Sequence, residues 1–165
     1  MLNVAVGHSD DIDSADAIEE ILEQCKEQLK DQKAQAGILY AAIDHEFDIL
    51  IQKINESYPG IELTGCTTDG ELSSSQGFAE DSTALILFVS DEIDIRAGVA
   101  DKLSENMAAG ISNAIRETKA LSEKEAQICF INPASLTVNG ELVLNAFKQN
   151  LGENFPIFGG SAADQ

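Results

Sequence analysis

Positive charge is scarce in this sequence. Lys and Arg number 10 against 29 Asp and Glu, a formal net charge of −19. A chain so acidic is repelled by nucleic acid and by anionic membrane surfaces, so neither is expected as a partner. The excess reads as a solvated acidic surface on a soluble, cytoplasmic protein. Long apolar runs are missing too. None approaches the ~20 residues of a membrane span, so membrane insertion is not expected. No basic region precedes the first strand-like residues, which speaks against a signal peptide. Cysteine is limited to Cys25, Cys66 and Cys129. An odd count with no CxxC pair argues against a disulfide framework or zinc site and fits reduced thiols. Histidine is limited to His8 and His45. Neither GxGxxG nor GxxxxGK[ST] occurs, so nucleotide binding by those loops is unsupported, and no GxSxG elbow is present.

What is there suits one α/β domain over residues 1–165. Hydrophobic residues make up 44%, and a chain of this length buries roughly two-thirds of its unfolded surface. Residues 2–7 alternate as a strand, followed by a loop at His8-Ser9-Asp10-Asp11. Ser14 is the expected cap of a helix over 15–33, whose Ala17, Ile18, Ile21, Leu22, Cys25 and Leu29 recur three and four apart. Cys25 on that stripe is a packing residue. A strand over 36–43, a helix over 45–57 capped by Asp44, and a strand over 61–66 continue the order, which predicts parallel βαβ crossovers. Residues 82–90 are strongly apolar and 93–100 alternate, with only Asp91-Glu92 between, which predicts an antiparallel hairpin. A helix capped by Ser104, a strand over 126–132, a helix over 140–150 and a short strand over 156–159 complete a mixed sheet with helices packed on it. No internal repeat, low-complexity tract or linker is read in the sequence.

Two stretches carry the candidate chemistry. The first is Thr64-Gly65-Cys66-Thr67-Thr68-Asp69-Gly70-Glu71, continuing to Gly77; the second is Phe158-Gly159-Gly160-Ser161-Ala162-Ala163-Asp164. Glycine admits close backbone approach, and hydroxyls and free N–H groups supply donors without fixed charge. These stretches, with the Asn132-Pro133 loop, resemble the FIST family in its N-terminal half, over nearly the whole chain from Val4. The resemblance implies a sensory input module of bacterial and archaeal signalling proteins, found also beside F-box segments in eukaryotes. It implies small ligands such as amino acids as inputs, and haem with nitric oxide sensing in some members. It further implies a C-terminal half-module beyond Gln165 and a downstream signalling domain as partners.

In open α/β sheets ligands bind beyond the carboxyl ends of the strands. The ends here are Gly7-His8-Ser9, 65–70, 132–137 and 159–161, expected to line one crevice. Gly65, Cys66, Thr67, Thr68, Asn132, Gly159, Gly160 and Ser161 are the candidate ligand contacts, with Ser135 beside them. A carboxylate or phosphate would sit on their backbone N–H groups. Asp69 and Glu71 meet an amine or cap the turn. No cofactor is expected and no residue is assigned as catalytic. Two alternatives stay open. Cys66 is a nucleophile if His8 lies close enough to act as its base. Haem is held by His8, His45 or Cys66. Otherwise His8 is a solvated loop residue and His45 a surface one. A protein-interaction domain with no ligand is a further reading.

Overall fold

An eight-residue run without a charge, Thr83–Ser90, organises the first half of the chain. In the computed structural model, which describes residues 1–30, 32–101, 103–134 and 138–162, this run is strand β6. Leu85 and Leu87 on one face are wholly buried, while on the other face Ala84 is buried and Ile86 and Phe88 are half-buried, since side chains alternate between the faces of a strand. The other strands are β1 (Leu2–Ser9), β2 (Ala36–Ala41), β3 (Glu62–Thr67), β4 (Glu71–Ser73) and β5 (Gly77–Ala79). The main sheet runs β1-β6-β2-β3. β6 is antiparallel to β1 and to β2, while β2 and β3 are parallel. β1, β2 and β3 therefore point the same way, and their carboxyl ends share one edge. The fold is α/β with a mixed sheet.

Helix α1 (Ser14–Leu29) packs on this sheet and α2 (Phe47–Ser57) lies beside it. α1 starts where the Asp13 carboxylate accepts from the N–H groups of Ala15 and Asp16, so Asp13 is the cap and Ser14 the first helical residue. It ends at Lys30 in the left-handed region, short of the expected residue 33. Ile18, Ile21, Cys25 and Leu29 of its stripe join Ala5, Leu39, Leu50, Ile54, Leu85 and Leu87 in the core. Gly7 lets helix and strand touch: a Cβ there would stand 2.6 Å from the Ile21 carbonyl oxygen. α2 begins at Glu46 with no side-chain cap, so Asp44 does not fill that role.

The predicted hairpin is a correction. Residues 91–100 form no strand, and the apolar run pairs instead with β1 and β2. Its backbone groups on both edges are taken by strands distant in sequence, leaving none for a neighbour across a two-residue turn. The antiparallel hairpin that does form is β4–β5, with Leu72 opposite Phe78.

The chain falls into two compact units, the second spanning Arg96–Ala163. It holds α3 (Leu103–Ala120), β7 (Cys129–Ile131), α4 (Gly140–Leu151) and β8 (Ile157–Gly159). β7 and β8 are parallel neighbours. Ile111, Val143 and Ala146 are its buried centre, with Leu103, Met107, Ile115, Ile131 and Phe147 partly buried around them. Asn106 breaks α3 with non-helical angles, φ −153° and ψ 84°. Its side chain accepts from Ala109 N–H at 3.2 Å, so it caps the long part of the helix in place of Ser104.

Candidate functional site

His8 is the second-last residue of β1, opposite Ala84 of β6, and it is fully buried. The expectation of a solvated loop histidine fails because β1 runs two residues further than the alternation suggested. Burial of an imidazole demands partners. Nδ1 lies 2.7 Å from Ser73 Oγ and Nε2 lies 3.0 Å from Ser82 Oγ. Ser82 Oγ donates to one oxygen of the Glu71 carboxylate, and Thr68 Oγ1 donates to the other. With its proton given to Glu71, Ser82 accepts from His8 Nε2–H. The result is a buried polar chain: Thr68, Glu71, Ser82, His8, Ser73. It continues outward to Ser75 Oγ, 3.0 Å from Ser73.

The same edge opens into a cavity of about 290 Å³ lined by His8, Gln24, Glu27, Gln28, Ser75 and Gln76. Two of its walls are fixed by an unusual use of glutamine. Gln24 receives His8 N–H at 2.9 Å and donates to His8 C=O at 3.0 Å. Gln28 treats Val6 alike, at 3.1 and 2.7 Å. These amides satisfy the outer edge of β1, which would otherwise present open backbone groups. Every lining side chain is polar, and Glu27 is the one carboxylate among them.

The Gly/Thr stretch touches this system at its end. Gly65 sits opposite Leu39 in the β2–β3 pair, where a Cβ would stand 1.8 Å from the Leu39 carbonyl oxygen. Its need for glycine is met by strand packing. Thr68 N–H bonds to Ala41 C=O at 3.1 Å, and its hydroxyl holds Glu71. Of the two acids flanking Gly70, Asp69 is exposed and Glu71 is buried. Cys66 is half-buried, and burial pushes its thiol up from the usual value, the opposite of what activates a nucleophile. His8 gives both ring nitrogens to serines. His45 is also buried, not on the surface: Nδ1 lies 3.2 Å from Ser14 Oγ, which in turn accepts from Glu46 N–H at 2.8 Å.

The second unit brings its own candidates together. Ile131 and Gly159 are register partners, so Asn132 and Gly160 follow side by side. Ala162 N–H bonds to Pro133 C=O at 2.9 Å. A Cβ on Gly159 would stand 1.9 Å from the Ile131 carbonyl oxygen, whereas a Cβ on Gly160 would meet nothing within 4 Å. Gly160 and Ser161 are exposed. Ser135, with the rest of 135–137, and residues 163–165 lie outside the described residues. The Gly65 turn belongs to the first unit and the Asn132 and Gly159 turns to the second.

Sequence reading named Thr68 and Glu71 and took Ser73 into its first candidate stretch, but missed Gln24, Gln28 and Ser82. Only spacing hinted at them: Gln24 and Gln28 stand one turn apart, beside the buried stripe of α1. The FIST N domain profile matches residues 35–165. No curated protein matches the chain. No described helix is long and apolar enough to cross a membrane.

Proposed function

Because the chain belongs to the FIST N domain family, a family of sensory domains, we propose that it is an input module for a small polar metabolite such as an amino acid. The metabolite occupies the cavity beside His8. Its amine meets Glu27, and its other polar groups meet the Gln76 amide and the Ser75 hydroxyl. One observation carries this reading. The cavity wall and the Gly/Thr turn are joined by the buried chain from Ser73 to Thr68, so a ligand that shifts Ser75 and Ser73 also shifts the loop of Gly65, Cys66, Thr67 and Thr68. A ligand moves such an equilibrium only by its different affinity for the two arrangements. Asn132, Gly160 and Ser161 form a second contact set on the other unit, since nothing in the packing requires glycine at 160. A C-terminal half-module and a cytoplasmic signalling domain receive the signal.

Thermal-shift screening of amino acids and other small metabolites tests the reading. A true ligand at about 100 times its dissociation constant stabilises the chain by about 2.7 kcal/mol. Gln76→Ala and Ser75→Ala abolish that shift while leaving the unliganded melting point nearly unchanged. Silence across a broad panel favours a protein-interaction domain. For the Cys66 enzyme, alkylation faster than that of a free cysteine at neutral pH would be the sign, and the raised thiol pKa argues against it. For haem, uptake of added hemin with colour would be the sign; the engaged ring of His8 argues against that residue as its ligand.

A further inference from the structure

The two units share a helix–strand skeleton, position by position, and the first adds something to it. Gly7 is pressed against the Ile21 carbonyl and the Cys25 thiol of α1; a Cβ on Gly98 would stand 2.1 Å from Thr118 Oγ1, with the Ala114 carbonyl also near. Asp13 and Asn106 cap the following helices by accepting from the N–H three residues on, at Asp16 and Ala109. Five residues past each cap, Ile18 and Ile111 are wholly buried. Leu39 and Gly65 match Ile131 and Gly159 in register and in steric need. The bond from Thr68 N–H to Ala41 C=O matches the bond from Ala162 N–H to Pro133 C=O. The glutamines of α1 stand outside this shared plan. Six and ten residues past Ile18 are Gln24 and Gln28; six and ten past Ile111 are Glu117 and Leu121, both exposed. Seating a helix on its strand does not require the glutamine row.

The row has the bonding pattern of a strand. Four helical residues rise about 6 Å and two strand residues about 6.7 Å, so glutamines four apart meet alternate residues of β1. Each amide accepts from the N–H and donates to the C=O of one residue, Gln24 at His8 and Gln28 at Val6. A neighbouring antiparallel strand makes the same pair of bonds. Val4 is the next residue to face outward. There α1 has ended, at Lys30 in the left-handed region. Gln32, which would supply the next rung, instead accepts from Asn3 Nδ2 at 2.9 Å. Among the described residues, no amide side chain bonds the Val4 N–H or C=O. β1 is an edge strand of eight residues with no Lys, Arg, Asp or Glu, so charge does not guard this edge.

Two cavities lie along the same edge. The one beside His8 is followed by another of about 420 Å³, lined by Asn3, Val4, Gln28, Leu29, Lys30 and Gln32. Gln28 lines both, Glu27 lines the first and Lys30 the second. Ser75 and Gln76 stand at one end, and the Asn3–Gln32 bond closes the other.

We infer that the outer edge of β1 is a groove for a short peptide, bound as an added strand antiparallel to β1. The inference rests on the reading of the cavity beside His8 as the input site, and it names the ligand class. The peptide ammonium meets Glu27 and its carboxylate meets Lys30, which sets the direction. Its backbone pairs with Val4 and takes the place of the Gln28 amide at Val6. Exchanging one amide for another leaves the β1 groups bonded before and after. From Val4 to His8 the edge runs roughly 15 Å, room for about four residues. The closed ends suit a free peptide, not a segment that runs on into a larger protein. A net charge of −19 draws a cationic one.

The tetrapeptide Lys-Val-Thr-Val, with free termini, is titrated onto the unaltered chain and followed by site-resolved hydrogen exchange and thermal shift. The Val4 amide is expected to exchange about tenfold more slowly or less, and the melting point to rise. The same peptide with every backbone amide N-methylated does neither. Gln28→Ala binds the tetrapeptide about tenfold more tightly, since no amide has to be displaced. Equal protection of Val4 by the methylated form overturns the inference. So does equal affinity for a peptide with acetylated and amidated ends, which would make a protein segment the occupant. Amino acids that raise the melting point while the tetrapeptide leaves Val4 unchanged overturn the peptide class alone and keep the input-module reading. Silence from both overturns both.

Discussion

Leu39 and Ile131 hold equivalent places in the two units, yet Leu39 is 5% exposed while Ile131 is only half-buried. Their strands have the same flanking helices and the same glycine opposite. What differs is the neighbour on the far side. β2 is covered by β6, and the first unit closes a core of twelve buried residues; β7 has no such neighbour among the described residues, and three buried residues centre the second. A helix–strand skeleton sets which side chains face inward. Whether they are removed from water depends on the strand that completes the sheet. The polar chain through His8 belongs to the same contrast, because Ser82 leads into β6 and Glu71 and Ser73 belong to the hairpin that precedes it. Among the described residues, the second unit has the skeleton without either.

The largest test of this contrast lies in the paired isoleucines. Ile18→Ala in the filled core is expected to cost about 3–5 kcal/mol, and Ile111→Ala less, about 2–3 kcal/mol, because its surroundings collapse more easily. Denaturant melts and site-resolved hydrogen exchange measure both. Equal losses would mean that the second core is as tightly filled as the first. Next come the paired glycines. Gly65→Ala and Gly159→Ala each drive a methyl into a carbonyl oxygen and should cost about 2–4 kcal/mol. Gly160→Ala should stay within about 0.5 kcal/mol. A neutral Gly159→Ala would break the equivalence of the two strand pairs.

Glu71→Ala has no counterpart in the second unit. It strips the acceptor from Thr68 and Ser82, both turned inward, and should cost about 2 kcal/mol. It should also loosen the Gly/Thr turn, seen as faster exchange at Thr68. If exchange there is unchanged, the buried chain does not couple the cavity to the turn.

Much of this was legible from residue spacing. The stripe of α1, the packing role of Cys25 and the parallel β2–β3 crossover follow from periodicity, which survives because each element buries one face. The partner of β6 was not legible. An apolar run marks a strand inside a sheet and says nothing of which strands pair along its edges, so the nearest alternating segment was an attractive but wrong neighbour. The site was half legible. Thr68 and Glu71 lie in the motif that drew attention, and Gly65 is explained by packing against Leu39. His8 was misjudged because strand ends carry no local signal strong enough to separate the last buried residue from the first solvated one. The repeat escaped notice because it is carried by single positions, a glycine, a cap and an isoleucine, at spacings that shift by one or two residues between elements.

A pH experiment probes the buried thiol of the first core. Burial pushes Cys25 up to about 12, while its counterpart in the second unit, Thr118, has no titrating group. The unfolded thiol ionises near its ordinary value of 9.0. Below that value both states hold the proton, and the stability from burying the neutral thiol is fully present. As pH rises from there towards about 12 the unfolded chain loses its proton first, so stability falls, at up to about 1.4 kcal/mol per pH unit. Cys25→Ala removes that slope at the cost of a small cavity, about 1 kcal/mol at neutral pH. Urea melts at pH 8 and pH 10.5 should therefore show a smaller gap for the variant than for the parent. An identical gap would place the alkaline loss elsewhere: burial also raises the thiols of Cys66 and Cys129, and burial and the neighbouring Cys25 raise the Tyr58 phenol.

The smallest effects belong to the helix caps, and they bear on the repeat most directly. Asp13→Ala and Asn106→Ala each remove one acceptor from a helix N-terminus and should cost about 1 kcal/mol. Asp13→Asn and Asn106→Asp keep the cap, so each should recover most of what alanine loses. The recovery distinguishes capping from packing, because both replacements preserve the acceptor and the size. A full loss in Asn106→Asp would mean that Asn106 holds its kink through its amide N–H₂, a role Asp13 cannot share, and the alignment of the two helix starts would then be coincidental.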